Sequence, residues 1–260
     1  MTKSIIKTQV AQYNNSLQDR KYDLSAFSHA RVGLGHTGGH LPLQHWLNFQ
    51  AGFAQAKDAV RSEYNTSDIH ALCKKLNLTS LDVYSQADDT NTFLLRPDKG
   101  RLLSGISQEM LENYTKQHTH DIHRDLLIVI SGGLSPIAIA HQINGFLTAF
   151  TAEINKHQWT LAPILINPRG RVALGDQINT YFKAKVVIML IGERPGLSTP
   201  DSMGIYITHN AKPGTTDEQR QCISNIHRRG LLHEEAASQL YAMINELVYS
   251  GLGDSHTLVL

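Results

Sequence analysis

Cysteine is almost absent: the 260 residues contain only Cys73 and Cys222. Two such residues make no disulfide framework and read as free thiols of a reducing compartment. An excess of one charge is missing as well. With 24 Lys and Arg against 23 Asp and Glu, the formal net charge is +1, and Arg228-Arg229 is too short to be a basic stripe, so nucleic acid is not an expected partner. Long apolar runs are lacking: the longest have the length of a strand, far short of the ~20 residues that span a bilayer. The start, MTKSIIKTQVAQYNN, has no signal-peptide core followed by a small-residue cleavage site. A cytoplasmic protein without a membrane role is expected. Internal repeats and low-complexity tracts are also missing.

What the chain does have is enough apolar residue, 41%, for a substantial core, and a change of character near residue 125. Residues 1–27 are polar and predict a flexible lead-in. Residues 28–124 predict a mainly helical region in which strands are hard to find. Trp46, Leu47, Phe49, Phe53, Ala54 and Val60 fit a helix from Leu43 to about Arg61, and a shorter one is expected over 68–76. From 125 to 260 strands and helices alternate. Strands are predicted at 126–131, 161–167, 185–191 and 204–209, with helices from Pro136 and from about Asp176 between them and two helices after residue 209. Ser135-Pro136 supplies an N-cap and a first-turn proline, and Thr216 with Gln219 a capping box. The pattern predicts an α/β fold with a Rossmann-like, doubly wound, mainly parallel sheet.

Three strand ends in this region run into loops rich in glycine or charge: Ser131-Gly132-Gly133-Leu134-Ser135, Asn167-Pro168-Arg169-Gly170-Arg171 and Gly192-Glu193-Arg194-Pro195-Gly196. Parallel strands would gather them on one edge, where open α/β sheets bind ligands. Glycine there lets backbone amides approach a ligand, and the helix from Pro136 would add free N–H groups. Any one of these loops is more simply an ordinary turn, but the three together point to a site.

KVVIMLIGERPGL, the DSMG turn and CISNI, in that order between Lys185 and Ile226, resemble the signature of the ethanolamine ammonia-lyase small (light) subunit family. ARVGLGHTGG (30–39), LLRPDKGRLL (94–103), VISGGLSPIAI (129–139) and GRVALGDQI (170–178) extend the resemblance over nearly all the chain from Ser28. It implies an adenosylcobalamin-dependent lyase whose corrin lies between a large barrel-type subunit and a small Rossmann-like one, the two assembling into a higher hetero-oligomer. In the family's chemistry, homolysis of the cobalt–carbon bond leads to hydrogen abstraction from ethanolamine and release of acetaldehyde and ammonia. The resemblance puts corrinoid contacts on Val172, Glu193 and Cys222: Val172 through backbone and apolar contact, Glu193 accepting from amides at the corrin rim, and Cys222 as a compact neighbour. None would ligate cobalt, and substrate contacts would fall to the large subunit. The chain departs from the family in reading SGGLS where SDGLS is usual, so Gly132 stands for an acidic residue. It also has little of the family's leader, which weakens the expectation of packaging in a bacterial microcompartment.

The lower-ligand mode is also readable. A histidine replacing the cofactor's own base would need D-x-H-x-x-G, and Asp121-Ile122-His123 and Asp68-Ile69-His70 both lack the glycine; base-on binding is expected. Other signals are weaker. Gly33 to Gly38 matches GxGxxG, with Asp58 about twenty residues on, the basis of an alternative NAD-binding oxidoreductase. No strand pattern precedes it, however, and Pro42 interrupts the helix that should follow. The histidines at 118, 120 and 123 lack a metal-ligand spacing, and Cys222 near Asn225 and His227 is not by itself a nucleophilic triad. A third alternative is a noncatalytic scaffold subunit.

Overall fold

Unbroken apolar runs dictate the centre of the sheet. In the computed structural model, which describes Arg31 and residues 33–249, strands β2 (Leu126–Ser131), β3 (Ile164–Asn167) and β4 (Val186–Gly192) are buried at every residue, as strands covered on both faces must be. The lead-in expected over residues 1–27 lies outside the described residues. The chain divides into two compact units, Met1–Phe53 and Ala54–Leu260.

Within the first unit, helix α1 begins; it spans Leu43–Arg61, the range its apolar spacing predicts. Trp46 and Phe49 stack at 5.8 Å, and the Arg31 guanidinium sits 5.7 Å from the Phe49 ring. Leu43, Trp46, Leu47 and Phe53 are all exposed. The Gly33–Gly38 segment is followed by an isolated bridge between Thr37 and His40; no strand precedes it among the described residues. Helix α1 starts only at Leu43, whereas a dinucleotide fingerprint opens directly into its helix.

The second unit is built on a six-stranded sheet in the order β1-β3-β2-β4-β5-β6, with β1 at Ser80–Asp82, β5 at Met203–His209 and β6 at Arg220–Ile226. β1, β3, β2 and β4 are parallel neighbours. β5 is antiparallel to β4, and β6 to β5. Side-chain alternation sends Leu126, Ile128, Ile130, Val186, Ile188 and Leu190 to one face. There they pack with α2 (Thr66–Lys75), α5 (Pro136–His157) and α7 (His233–Tyr249). Leu127, Val129, Leu165, Val187 and Met189 take the other face, with α4 (Gly105–Gln117) and α6 (Leu174–Phe182). The α/β architecture with helices on both faces thus follows from strands that are apolar on both sides.

Three sequence expectations need correction. The first concerns the region before residue 125, where strands are hard to find in the sequence but the fold has one: β1 pairs with β3 from Ser80 opposite Ile164 to Asp82 opposite Ile166. Helices α3 (Thr90–Leu95) and α4 also lie there. Secondly, one helix, not two, follows β5 among the described residues. The Thr216–Gln219 capping box is present, but it closes a single 3₁₀ turn over Asp217–Gln219, and the chain then enters β6. Thirdly, the strand predicted over 161–167 is continuous only from Ile164, with Leu161 making an isolated bridge to Leu126.

The antiparallel extension is anchored by a buried ion pair. Arg220, at the start of β6, donates from both terminal nitrogens to the two Asp176 carboxylate oxygens on α6, at 2.8 and 2.7 Å, with both side chains almost fully buried. It also donates to the Thr208 hydroxyl and the Thr215 carbonyl. Asp176 and hydrogen bonding to it hold the guanidinium above its usual pKa despite burial. Replacing Arg220 by Met leaves Asp176 buried and unpaired, so a loss of about 3–5 kcal/mol is expected in urea unfolding. A loss below about 1 kcal/mol, typical of an exposed pair, would contradict this role.

Candidate functional site at the carboxyl edge of the sheet

The loops that leave β2, β3 and β4 meet at one edge, and buried polar side chains fasten them together. The Ser131 hydroxyl accepts from the Gly170 N–H and donates to the Gly170 carbonyl, both at 3.0 Å. The Asn167 amide donates to the Val83 carbonyl at 2.9 Å, and the Ser85 hydroxyl donates to the Arg169 carbonyl. Beyond β2 the backbone turns sharply: Gly133 adopts φ +57°, a conformation open to glycine at little cost. A β-carbon on Gly133 would collide with the Gly192 carbonyl, and one on Gly192 with the Ser135 and Gly132 carbonyls.

These glycines serve a different purpose from the expected one. The Gly132 N–H donates to the Asn167 carbonyl and the Leu134 N–H to the Gly192 carbonyl. At the start of α5, the Ile137 N–H is taken by the Ser62 hydroxyl and the Ala138 N–H by Ser135. The amides expected to face a ligand instead join one strand end to the next, and glycine is required for that close packing.

The joined turns wall a cavity of about 430 Å³, lined by Gly133 and Leu134 beyond β2, Arg171 and Val172 beyond β3, and Ile191, Gly192, Glu193 and Arg194 at the end of β4, with Tyr206 and Phe93. The connections leaving the neighbouring strands β2 and β4 part here, since the chain leaves β2 for β3 on one side and β4 for β5 on the other; such a switch point is where open α/β sheets hold ligands. A second recess of about 350 Å³, lined in part by Arg61, Glu63, Tyr64 and Arg169, shares the Phe93 and Gly133 walls.

Of the residues singled out in the sequence, Val172 and Glu193 line the same cavity. Val172 is half-buried against the core of the α6 face. Glu193 is tethered: its carboxylate accepts from the Ser202 hydroxyl at 2.5 Å and from the Asn225 N–H at 3.2 Å, while its own N–H donates to the Ser202 carbonyl. The side chain that extends β4 thereby also grips β6. Cys222 is not in the cavity wall. It is exposed on β6, directly opposite Tyr206, which does line the cavity.

Tyr206, Phe93, Arg171 and Arg194 are cavity residues that the sequence reading did not select. Burial, then Cys222, Glu193 and Asp217, push the Tyr206 phenol up to about 12, so it is a neutral donor at physiological pH. Desolvation of its side chain also raises the Cys222 thiol, helped by nearby Glu193 and opposed by hydrogen bonding with Ser224 and Tyr206. The sulfur is therefore a thiol at neutral pH, not a ready nucleophile. Among the described residues, no group of three or more His, Cys, Asp and Glu could hold a metal ion, and no helix is long and apolar enough to cross a membrane.

The comparisons with known proteins converge on one family. Residues 18–253 match the family model described as "Ethanolamine ammonia-lyase light chain (EutC)". The chain belongs to this family. It is 42% identical over 224 residues to the "Ethanolamine ammonia-lyase small subunit" of Pseudomonas fluorescens (strain Pf0-1), covering 86% of this chain and 81% of that one. It is 39% identical over 223 residues to the protein of that name from Xanthomonas campestris pv. campestris (strain B100), covering 86% and 81%. With the small subunit of Pseudomonas putida (strain W619) it shares 40% identity over 217 residues, 84% and 79% of the two chains.

Two outcomes follow for this family member. A raised thiol pKa means less thiolate at any given pH, so at pH 8.5 iodoacetamide should alkylate Cys222 more slowly than free cysteine. Tyr206→Phe removes a contact that lowers this pKa and should slow the reaction further; a rate at or above that of free cysteine contradicts the assignment. At Gly132, the position where SDGLS would carry an acid, a β-carbon would lie 2.5 Å from the Pro168 carbonyl and 2.9 Å from the Tyr64 ring. Gly132→Asp should therefore cost about 1–3 kcal/mol in chemical denaturation, and an unchanged midpoint would show that the loop yields freely.

Proposed function

We propose that this chain is the small subunit of an adenosylcobalamin-dependent ethanolamine ammonia-lyase, and that the cavity at the carboxyl edge of its sheet takes part of the corrinoid. The observation that carries this reading is the shared cavity of Val172 and Glu193, built from separate strand ends, in a chain of this family. The fold is read as a Rossmann-like, doubly wound sheet with two antiparallel strands added at one edge.

The residues suit such a ligand. A corrinoid is far larger than a 430 Å³ recess, so one portion would enter and the rest would lie across the mouth, to be covered by another polypeptide. The tethered Glu193 carboxylate has lone pairs left for amide N–H donors at a corrin rim. Tyr206 and Cys222 offer a neutral, polarizable surface beside it. Arg171 and Arg194 in the same wall offer donors to a bound group rich in acceptors. The partner is read as the large subunit, which would also supply the substrate contacts. Exposed Tyr84, Leu95 and Ile106 support an additional covering surface.

When bound, the cofactor supplies the radical chemistry by which the complex converts ethanolamine to acetaldehyde and ammonia. This chain's residues bind and orient it and keep water from its lower side. Base-on binding is supported by the two candidate histidines: His123 precedes β2, at the sheet's opposite edge, and His70 is held by Ser80 and Asp82 at 2.8 and 3.0 Å. Electron paramagnetic resonance of the Co(II) holoenzyme with labelled histidine checks this, and protein nitrogen coupling would overturn it.

The deciding test is ammonia release from ethanolamine by the chain reconstituted with the large subunit and adenosylcobalamin, with NAD as a binding control. Glu193→Ala should weaken cobalamin binding roughly ten-fold to over a hundred-fold, the cost of one charge-assisted hydrogen bond. Unchanged affinity would remove Glu193 from the site, and NAD binding without cobalamin binding would favour an oxidoreductase.

A further inference from the structure

Arg171 is a cavity residue whose guanidinium has no carboxylate partner. Its side chain is held by Phe93, and its backbone by Gly100. The Arg171 N–H donates to the Gly100 carbonyl at 2.8 Å, its Nη2 donates to the Phe93 carbonyl at 3.1 Å, and its guanidinium lies 4.4 Å from the Phe93 ring. Gly100 leaves the space this requires, since a β-carbon there would stand 2.9 Å from Arg171 Cγ. Yet all these partners are backbone groups or a ring. Nε is buried with no partner among the described residues. A second arginine, Arg194, lines the same cavity from the end of β4. Burial first, and then the charges of Arg101 and Arg194, hold the Arg171 guanidinium below its usual pKa. The one carboxylate in the wall, Glu193, accepts from Ser202 and the Asn225 N–H and from neither arginine.

We infer that Arg171 and Arg194 form a subsite for a phosphate-class anion, filled in the holoprotein by the phosphodiester of the cofactor's nucleotide tail. The inference rests on the corrinoid reading above for the source of the phosphate, not for the site itself. A guanidinium fixed in advance by Phe93 loses little freedom on binding, and its planar fork matches phosphate oxygens. An anion would relieve the repulsion among the arginines. The corrin's own side chains are neutral amides, so the phosphodiester is the cofactor group with the complementary charge.

The test uses the full chain with the large subunit and three probes: cyanocobalamin, cobinamide, which lacks the phosphodiester and nucleotide, and inorganic phosphate. Arg171→Gln and Arg194→Gln should each weaken cyanocobalamin binding roughly ten-fold, as loss of a charge-assisted hydrogen bond does, and leave cobinamide binding unchanged. Phosphate should compete with cyanocobalamin in the wild type and lose that effect in both variants. Arg194 is exposed, so its variant keeps the test valid should Arg171→Gln fail to fold. Equal weakening of both corrinoids, or no effect on cyanocobalamin, overturns the subsite while leaving the cofactor reading standing. Phosphate binding that depends on both arginines, in a complex that binds neither corrinoid, supports the anion subsite and overturns its cofactor source.

Discussion

The carboxyl ends of β2 and β4 approach so closely that the backbone carbonyls of one turn occupy the space where a side chain of the other would begin. Gly133 and Gly192 each lack room for a β-carbon against the opposing turn, and the Leu134 N–H to Gly192 carbonyl bond closes the junction at 3.0 Å. The cavity depends on that contact. It brings Leu134 and Glu193 to a common wall, and Ser131, bonded to Gly170, draws the turn carrying Arg171 and Val172 to the same edge.

Two longer-range devices carry this local order across the sheet. Glu193 binds Ser202 and the Asn225 N–H, so the end of β4 is tied to the start of β5 and the end of β6. Arg220 binds Asp176, so the other end of β6 is tied to the helix that follows Val172. β6 is thereby fixed at both ends, and the Cys222 and Tyr206 pair stands in a set position beside the cavity. The strand itself contributes little apolar burial, with only Ile223 and Ile226 buried. Polar contacts position it instead.

The parts of this arrangement that could be read in the sequence are those in which chemistry and length agreed. The runs at 126–131 and 186–191 are apolar on both faces, which specifies a buried strand; Ser135-Pro136 caps α5 as its sequence indicates; and α1 has both the spacing and the bounds expected of it. β1 was not legible because Ser-Leu-Asp is three residues, all half-buried, with no alternation to read. β6 was read as helix for a physical reason. A capping box fixes how a helical turn starts and not how long it continues, and Arg-Gln-Cys-Ile-Ser-Asn-Ile has too few apolar residues to announce an edge strand.

The site was legible in the same uneven way. Val172 and Glu193 sit just past strand ends, where α/β topology makes loop residues converge, so motif and topology together found them. Tyr206 lies within a strand, and Phe93 and Arg171 meet across a long stretch of sequence; only the folded chain reveals them as neighbours. The proposed function requires the corrinoid to lie over the joined ends of β2, β3 and β4. A structure of the chain with the large subunit and cyanocobalamin tests it most directly. It should show the corrinoid against Val172, Glu193 and Tyr206, with Cys222 at its margin; a corrinoid held away from that edge, or wholly within the large subunit, would contradict the account.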